Sequence, residues 1–430
     1  MGGENISERH TVSFANAARF WIKLGFISFG GPAGQIAIMQ TECVDKRRWI
    51  DQGAFLRGLN YCMLLPGPEA QQLAAYIGWR LHGVKGAVVA GTAFVVPGLV
   101  LMVFLAWLAA AHGDNRLITA AFTGVKPVVV AIVLQAVWRI GRRTCNTWAG
   151  MAMAAAAFVA LYFLGVPFPV VVVSAGAIGI FAAKMPWIEF SSNGHGDASP
   201  GTAPEPAASG RGFARRLGFM VGIFMALWIV PVVAVITILG TNPFADIATL
   251  FTTAAFVTFG GAYAVLPYIA EAGVNAYGWL TPGDMINGLA LAESTPGPLI
   301  LVTTYVGFFA GWTNGGVLGP AIQGITAAAL TTYVTFLPSF LFILVGAPYV
   351  ERLQENRYTR NALAAITAAI VGVILNLSVF LATAVFFPSE SVNWMLIGAA
   401  VIAFGLLSTG RFNVPVLVAA GFLIGIAFGL

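Results

Sequence analysis

Apolar residues in this chain neither alternate nor keep to one face. They run on in stretches near 20 residues that recur up to the last residue, separated by short clusters of Gly, Pro and charge. Helices that are apolar all round at that length match a hydrocarbon core about 30 Å thick, at about 1.5 Å of rise per residue. Continuous spans are expected near 86–110, 117–137, 148–164, 167–184, 217–239, 317–345, 361–387, 392–408 and 413–430. Other apolar segments are interrupted. Residues 14–28 and 33–45 flank Gly30-Gly31-Pro32, and residues 53–65 and 69–80 flank Pro66-Gly67-Pro68. Arms of roughly 12 to 15 residues reach only about 20 Å, enough to arrive at the midplane and turn back. Pro cannot continue the hydrogen-bond ladder and Gly tolerates a sharp turn, so these segments read as re-entrant helical hairpins. Broken backbone at that depth has to line a polar cavity or be buried in protein. A kinked continuous helix with small residues at a packing seam is the plainer alternative.

The pattern also repeats. A shift of 230 positions lays Phe29-Gly30-Gly31 on Phe259-Gly260-Gly261, Trp49 on Trp279, Gly58-Leu59 on Gly288-Leu289 and Pro66-Gly67-Pro68 on Pro296-Gly297-Pro298, without a gap. Residues 189–212, rich in Ser, Gly, Pro and Ala, read as a flexible linker between membrane repeats at 1–188 and 213–430. Residues 40–57 carry Lys46, Arg47, Arg48 and Arg57, whereas the equivalent 270–287 carry no Lys or Arg. Arg80 and Lys85 likewise face an uncharged stretch at 311–316. Short loops rich in Lys and Arg mark the cytoplasmic face, so the repeats are expected to be inverted, as in many secondary transporters. The fold expected is an all-α polytopic membrane protein of two inverted-topology repeats. Its N-terminus lies inside and its C-terminus outside, with Arg139, Arg142, Arg143, Arg211, Arg215, Arg216, Arg352, Arg357 and Arg360 on the cytoplasmic side.

Composition agrees with a bilayer: 58% of the 430 residues are hydrophobic and 9% are charged. The net charge of +5 sits in short loops, so it reads as topology and not as a nucleic-acid surface. Three scattered cysteines and four scattered histidines give no disulfide framework and no metal or cofactor site, and no constellation points to an enzyme. The first ten residues are polar and carry no signal-peptide signature. Without a phosphate-binding Gly-rich loop, energy has to come from an ion gradient or a partner. Gly315-x-x-x-Gly319 and Gly421-x-x-x-Gly425 have the spacing of close helix packing, within the chain or across a homodimer.

Helix ends at the tips present unpaired N–H groups and a positive dipole, which favour an anion. The candidate contacts are Gly30, Gly31, Gly34, Gln35, Pro66, Gly67, Gln71 and Gln72 in the first half, and Gly260, Gly261, Tyr263, Thr295, Pro296 and Gly297 in the second. Amides, hydroxyls and backbone donors suit a tetrahedral oxyanion, whose oxygens accept from several directions. Arg19, Lys23 and Arg57 correspond to Thr249, Thr253 and Asn287, which places the attraction for anions on the cytoplasmic side. Arg19 and Lys23 share a helix face as a funnel or as two snorkelling side chains. Lys126 is a further anion contact or the partner of a carboxylate. Glu69 and Glu293 lie beside the Pro-Gly-Pro tips, and an intramembrane carboxylate cycles protons readily; capping of a broken helix is the structural alternative.

Phe29-Gly30-Gly31-Pro32-Ala33-Gly34-Gln35, the run Asn60 to Gln72, the run Phe259 to Pro267 and Thr295-Pro296-Gly297-Pro298 resemble the chromate transporter family, in its long two-half form. The resemblance implies chromate efflux across a bacterial inner membrane and chromate resistance, with sulfate as the physiological look-alike. Together with the two carboxylates it suggests a proton-coupled antiporter. Import of sulfate and passive anion flux are the alternatives.

Overall fold

The computed structural model describes residues 12–29, 31–113, 115–185, 190, 211–316, 318–346, 357–387 and 391–429. All regular structure among them is helical. The first half comprises α1 (Phe14–Ile27), α2 (Gly31–Met39) running into a π-helical turn (Gln40–Lys46), α3 (Gln52–Leu64), α4 (Glu69–His112), α5 (Arg116–Thr144), α6 (Trp148–Tyr162) and α7 (Phe168–Ala182). After α8 (Arg211–Leu239) come α9 (Phe244–Val257), a 3₁₀ turn (Ala262–Ala264), α10 (Leu266–Ala270), a second π-helical turn (Glu271–Ala276), α11 (Pro282–Ser294), a 3₁₀ turn (Leu299–Leu301), α12 (Val302–Asn314), α13 (Pro320–Gly346), α14 (Arg357–Phe386), α15 (Trp394–Ser408) and α16 (Val414–Phe428). Most of the expected linker, Gly30 and Arg352 lie outside the described residues.

Local chemistry sets these boundaries. Asp51 starts α3 by accepting from the Ala54 N–H at 2.8 Å, and Thr281 with Asp284 closes a capping box at the start of α11. α4 breaks at His82-Gly83, where Gly83 takes φ 60°, and its two arms fold back on each other. Gly78 in the first arm faces the Gly86 carbonyl and Ala90 in the second, an approach a side chain would block. Gly315, with φ 63°, makes the same break between α12 and α13. Gly315 and Gly319 are therefore turn residues, not a helix-packing pair. α2 is continuous where its counterpart splits at α10, because Pro267 lacks the N–H that a continuing ladder needs.

Five segments among the described residues are long and apolar enough to cross a membrane: α4, α5, Leu217–Leu239 of α8, α13 and α14. The spans expected at 148–164, 167–184, 392–408 and 413–430 are shorter than that. They form α6, α7, α15 and α16, each of 15 residues or roughly 22 Å. Gly165 (φ 62°) and Pro167 stop the chain between the first two, and Gly410 (φ 68°) with Pro415 between the others. Each short pair lies on a long helix of the opposite half. Gly179 of α7 sits on the Asn361-Ala362 backbone of α14, Gly372 of α14 on Ala154 and Phe158 of α6, and Gly425 of α16 on Ala120 and Gly124 of α5. Gly421-x-x-x-Gly425 thus serves packing within the chain. Because the short helices come in pairs, crossing or not crossing leaves later segments on the same side.

Candidate functional site

The four interrupted points are built alike in pairs. Leu65 precedes Pro66 and is extended (φ −90°, ψ 149°), as is Thr295 before Pro296 (φ −97°, ψ 155°), since Pro forces its predecessor out of helical geometry. Gly67 and Gly297 follow with φ of 118° and 103°, a region closed to ordinary side chains. α1 and α9 end at Ser28 and Thr258 with matching tight turns, in which Phe29 N–H donates to Ile27 at 3.0 Å and Phe259 N–H to Val257 at 3.1 Å.

The tips meet reciprocally. Gly67 N–H donates to the Thr258 carbonyl at 2.7 Å, and Gly297 N–H donates to the Ser28 carbonyl at 3.1 Å. Such mutual pairing is what a two-fold relation between similar units produces. Gly98, midway along the second arm of α4, abuts Pro296 and Gly297. This tip therefore lies at mid-height of a membrane-length helix.

Polar side chains gather around the two junctions. The Gln35 amide is buried and donates to the Ser28 carbonyl at 3.1 Å and the Gly297 carbonyl at 2.6 Å. Gln72 donates to the Pro66 carbonyl at 2.7 Å. The Gln35 and Gln72 side-chain oxygens, the Ser28 hydroxyl and both polar atoms of Gln71 have no partner among the described residues, although all are buried. Buried amides and hydroxyls of this kind take water or a ligand as partner. Gln71 faces Gly91 in the second arm of α4 instead of a tip. Glu69, half-buried, is the first residue of α4 and makes no hydrogen bond or ion pair among the described residues. Glu293 is buried in the last turn of α11 and accepts a hydrogen bond from the Tyr263 hydroxyl.

Among the other expected contacts, Gly31 opens α2 with φ 68°, and Gly34 of α2 lies against the Phe29 carbonyl. Gly260 (φ 75°) touches Ile370 of α14, Gly261 (φ 95°) opens the 262–264 turn, and Thr295 is buried. Arg57 lies on α3, next to Gly53 and within electrostatic reach of Tyr76. Lys126 lies near Gly283 and feels the Asp284 charge, which favours its carboxylate-partner reading. No group of three metal-ligating side chains occurs among the described residues.

Lys23 belongs to an open cleft of about 530 Å³ lined by Asn16, Arg19, Phe20, Lys23, Arg47 and Trp49, with Val12 and Ser13 at its edge. Arg47 is already held, between the Phe20 ring at 4.8 Å and the Trp49 ring at 5.2 Å, with Glu42 at 3.4 Å. Arg19 and Lys23 are exposed and have no hydrogen bond or ion pair among the described residues. In the second half Tyr277 replaces Arg47 and stacks on Trp279 at 4.5 Å, and Trp279 is only 2% exposed where Trp49 is half-buried. The basic cleft has no equivalent there.

Sequence reading gave Arg139 only a place on the cytoplasmic side. Its apolar run ends near Val137, which suggests a loop, but the helix continues to Thr144 with Arg142 and Arg143 in the last turn, where cations stabilise the helix C-terminus. Arg139 is thereby fixed on α5, within electrostatic reach of Glu293 and Tyr263. A chemistry-bearing charge in an interrupted apolar run was the available signal.

The family model described as chromate transporter matches residues 15–180 and 245–426, which include all four tips, the cleft from Asn16 to Trp49 and Arg139. The chain belongs to the chromate transporter family. It is 32% identical to the chromate transport protein of Pseudomonas aeruginosa over 95% of this chain and 90% of that one. It is 24% identical to the chromate transport protein of Cupriavidus metallidurans, over 97% of this chain and 93% of that one. An uncharacterized transporter of Bacillus subtilis is 28% identical over 38% of this chain but 85% of its own length. No solved structure matches. Members of the chromate transporter family are transporters and not enzymes.

Proposed function

We propose that the chain exports chromate, or a tetrahedral oxyanion of the same shape and charge such as sulfate, from the cytoplasm across the bacterial inner membrane. The proton-motive force powers the step, and the result is chromate resistance. The observation that carries this reading is the cleft with two uncompensated cations, present only in the half whose loops carry the Lys and Arg bias. Lys23 stands five residues before Ser28, roughly 7 Å along α1 from the tip junction. A dianion attracted to the cleft meets the unpaired amides and hydroxyls of the junction next.

Two inverted repeats with re-entrant hairpins suit this path. The elements from α1 to α7 recur in order from α9 to α16, and α8 has no counterpart. One unmatched span turns the second copy over relative to the first. The half-length relative fits a unit able to exist as a separate chain.

In energised everted membrane vesicles, the chain is expected to drive accumulation of labelled chromate, and a protonophore is expected to abolish it. Flux indifferent to the protonophore would establish a passive pathway. Faster uptake by intact cells, with competition by sulfate, would establish an importer. A second expectation concerns the cleft: the double change Arg19→Ala and Lys23→Ala lowers apparent chromate affinity by about tenfold at low salt, with the difference shrinking as salt rises. Equal affinity at low salt would return both residues to interfacial snorkelling.

A further inference from the structure

The start of α4 is a buried helix end without a cap. Pro68 offers it no side-chain acceptor, and the N–H groups of Glu69, Ala70 and Gln71 have no partner among the described residues. The first N–H that does is that of Gln72, which returns to the Pro68 carbonyl at 3.0 Å. Ala70 and Gln71 are buried, and donors removed from water in this way need an acceptor. Asp51 meets that need for α3 and Thr281 for α11. Glu69 does not meet it for α4.

A second observation at the same place comes from the other half. Ser339 of α13, 1% exposed, stands over the Gly67 tip, where a Cβ on Gly67 would lie 2.8 Å from its hydroxyl oxygen. Hydroxyls inside a helix commonly turn back to the carbonyl four residues earlier. Thr326, Thr332 and Thr335 of the same helix do so, at 2.9, 2.9 and 2.7 Å. Ser339 instead accepts from the Gln72 amide at 3.5 Å, and its proton goes to no described residue. Gln72 is fully buried, and its side-chain oxygen has no partner either.

We infer that the Gly67 tip is an oxyanion site, in which the N–H groups of Glu69, Ala70 and Gln71 and the Ser339 hydroxyl hold the transported anion. This rests on the transport reading above and gives it a contact from each half. Helix N–H groups and the positive end of the helix dipole favour negative charge, and the hydroxyl reaches a further oxygen of the tetrahedron. Ser339 donates to the anion and accepts from Gln72 at once, since a hydroxyl has both capacities. Gln72 is fixed by its bond to the Pro66 carbonyl at 2.7 Å, and its free oxygen takes a water that bridges to the anion.

The second tip supplies an internal comparison. Pro97-Gly98 of α4 stands to it as Pro338-Ser339 of α13 stands to the first, but Gly98 brings no side chain. Leu301 fills the space, with its Cδ1 2.9 Å from the position of a Cβ on Gly297 and 2.6 Å from that of one on Gly98. Leu299, Ile300 and Leu301 correspond to Glu69, Ala70 and Gln71, yet they wind into a 3₁₀ turn in which the Leu301 N–H returns to the Pro298 carbonyl at 2.9 Å. That tip is plugged by its own leucine, and Gln35 ties it to Ser28. Of the two Pro-Gly-Pro tips, the first therefore holds the anion.

The test is binding of labelled chromate to the purified full-length chain in lipid nanodiscs, at one mildly alkaline pH where chromate is a dianion. Ser339→Ala is expected to weaken binding by about tenfold, and Ser339→Thr, which keeps the hydroxyl, to stay within about threefold of the unaltered chain. Thr335→Val, one turn earlier in α13, removes a hydroxyl already spent on the Thr331 carbonyl and should leave affinity within about twofold. Proline suits the first position of a helix and lacks the N–H, so Glu69→Pro should bind at least about threefold more weakly than Glu69→Gln. Ser339→Ala with unchanged affinity overturns the inference, as does an equal loss in Thr335→Val, which would mark general damage to α13. Glu69→Pro that binds like Glu69→Gln removes the N–H groups from the site and overturns it as well. Each of these results leaves export standing if the vesicles still accumulate chromate. Absence of both binding and transport in the unaltered chain overturns the export reading itself.

Discussion

Glu69→Gln is expected to reduce chromate transport driven by a pH gradient in proteoliposomes by at least about tenfold while changing chromate binding by less than about twofold. The carboxyl is half-buried at the first turn of α4 and beside the Gly67 tip, with no hydrogen bond or ion pair among the described residues. A capping carboxylate would bond the N–H groups of its own helix start, as Asp51 does in α3. Glu69 does not, so its position answers to no structural need visible around it. Glutamine preserves the shape and removes the exchangeable charge. Binding that falls in parallel with transport would make Glu69 a substrate contact, and transport at the original rate would remove it from the proton path.

The second large effect concerns the tip junction. Gly67→Val places a branched side chain on a residue with φ of 118°, at a cost of about 1–3 kcal/mol for the backbone alone. Its Cβ would stand 2.8 Å from the Ser339 hydroxyl and 2.9 Å from the Gln72 amide nitrogen, which adds about 1–3 kcal/mol of overpacking. The same strain pulls on the bond from Gly67 N–H to the Thr258 carbonyl, which joins the halves at 2.7 Å. A lower thermal unfolding midpoint in detergent and loss of transport are expected, with Gly67→Ala milder. Gly31→Ala serves as the comparison, because φ there is 68° but nothing lies within 4 Å of the added carbon. If Gly67→Val melts and transports like the unaltered chain, the junction is dispensable.

Helix ends at the tips were legible in the sequence because their causes are local. Pro66 and Pro296 act on the residue just before them, and Gly67 and Gly297 supply the φ that follows, whatever lies around them. The short pairs α6–α7 and α15–α16 are shorter than the spans expected, because an apolar run does not say where a helix stops. Gly165-Val166-Pro167 and Asn413-Val414-Pro415 did carry that information. The end of α5 was set too early for the opposite reason. Apolarity ended before the helix did, and a helix continues past its last apolar residue when its final turn carries favourable cations. Lys23 and Arg19 could be assigned to one face from their spacing, yet only the fold brought Arg47 to the same cleft and closed it off with Glu42, Phe20 and Trp49.

The sequence by itself determined the membrane class, the family motifs, the breaks at the tips and the uneven sharing of charge between the halves. Each of these depends on residue type and near neighbours along the chain. Tertiary structure alone decided which tip meets which, that Gln35 braces the Ser28–Gly297 junction, and that the Tyr263 hydroxyl reaches Glu293. Those contacts join residues more than 100 positions apart in several cases, and their register is set by how glycine faces let whole helices approach. No local preference along the chain encodes that distance.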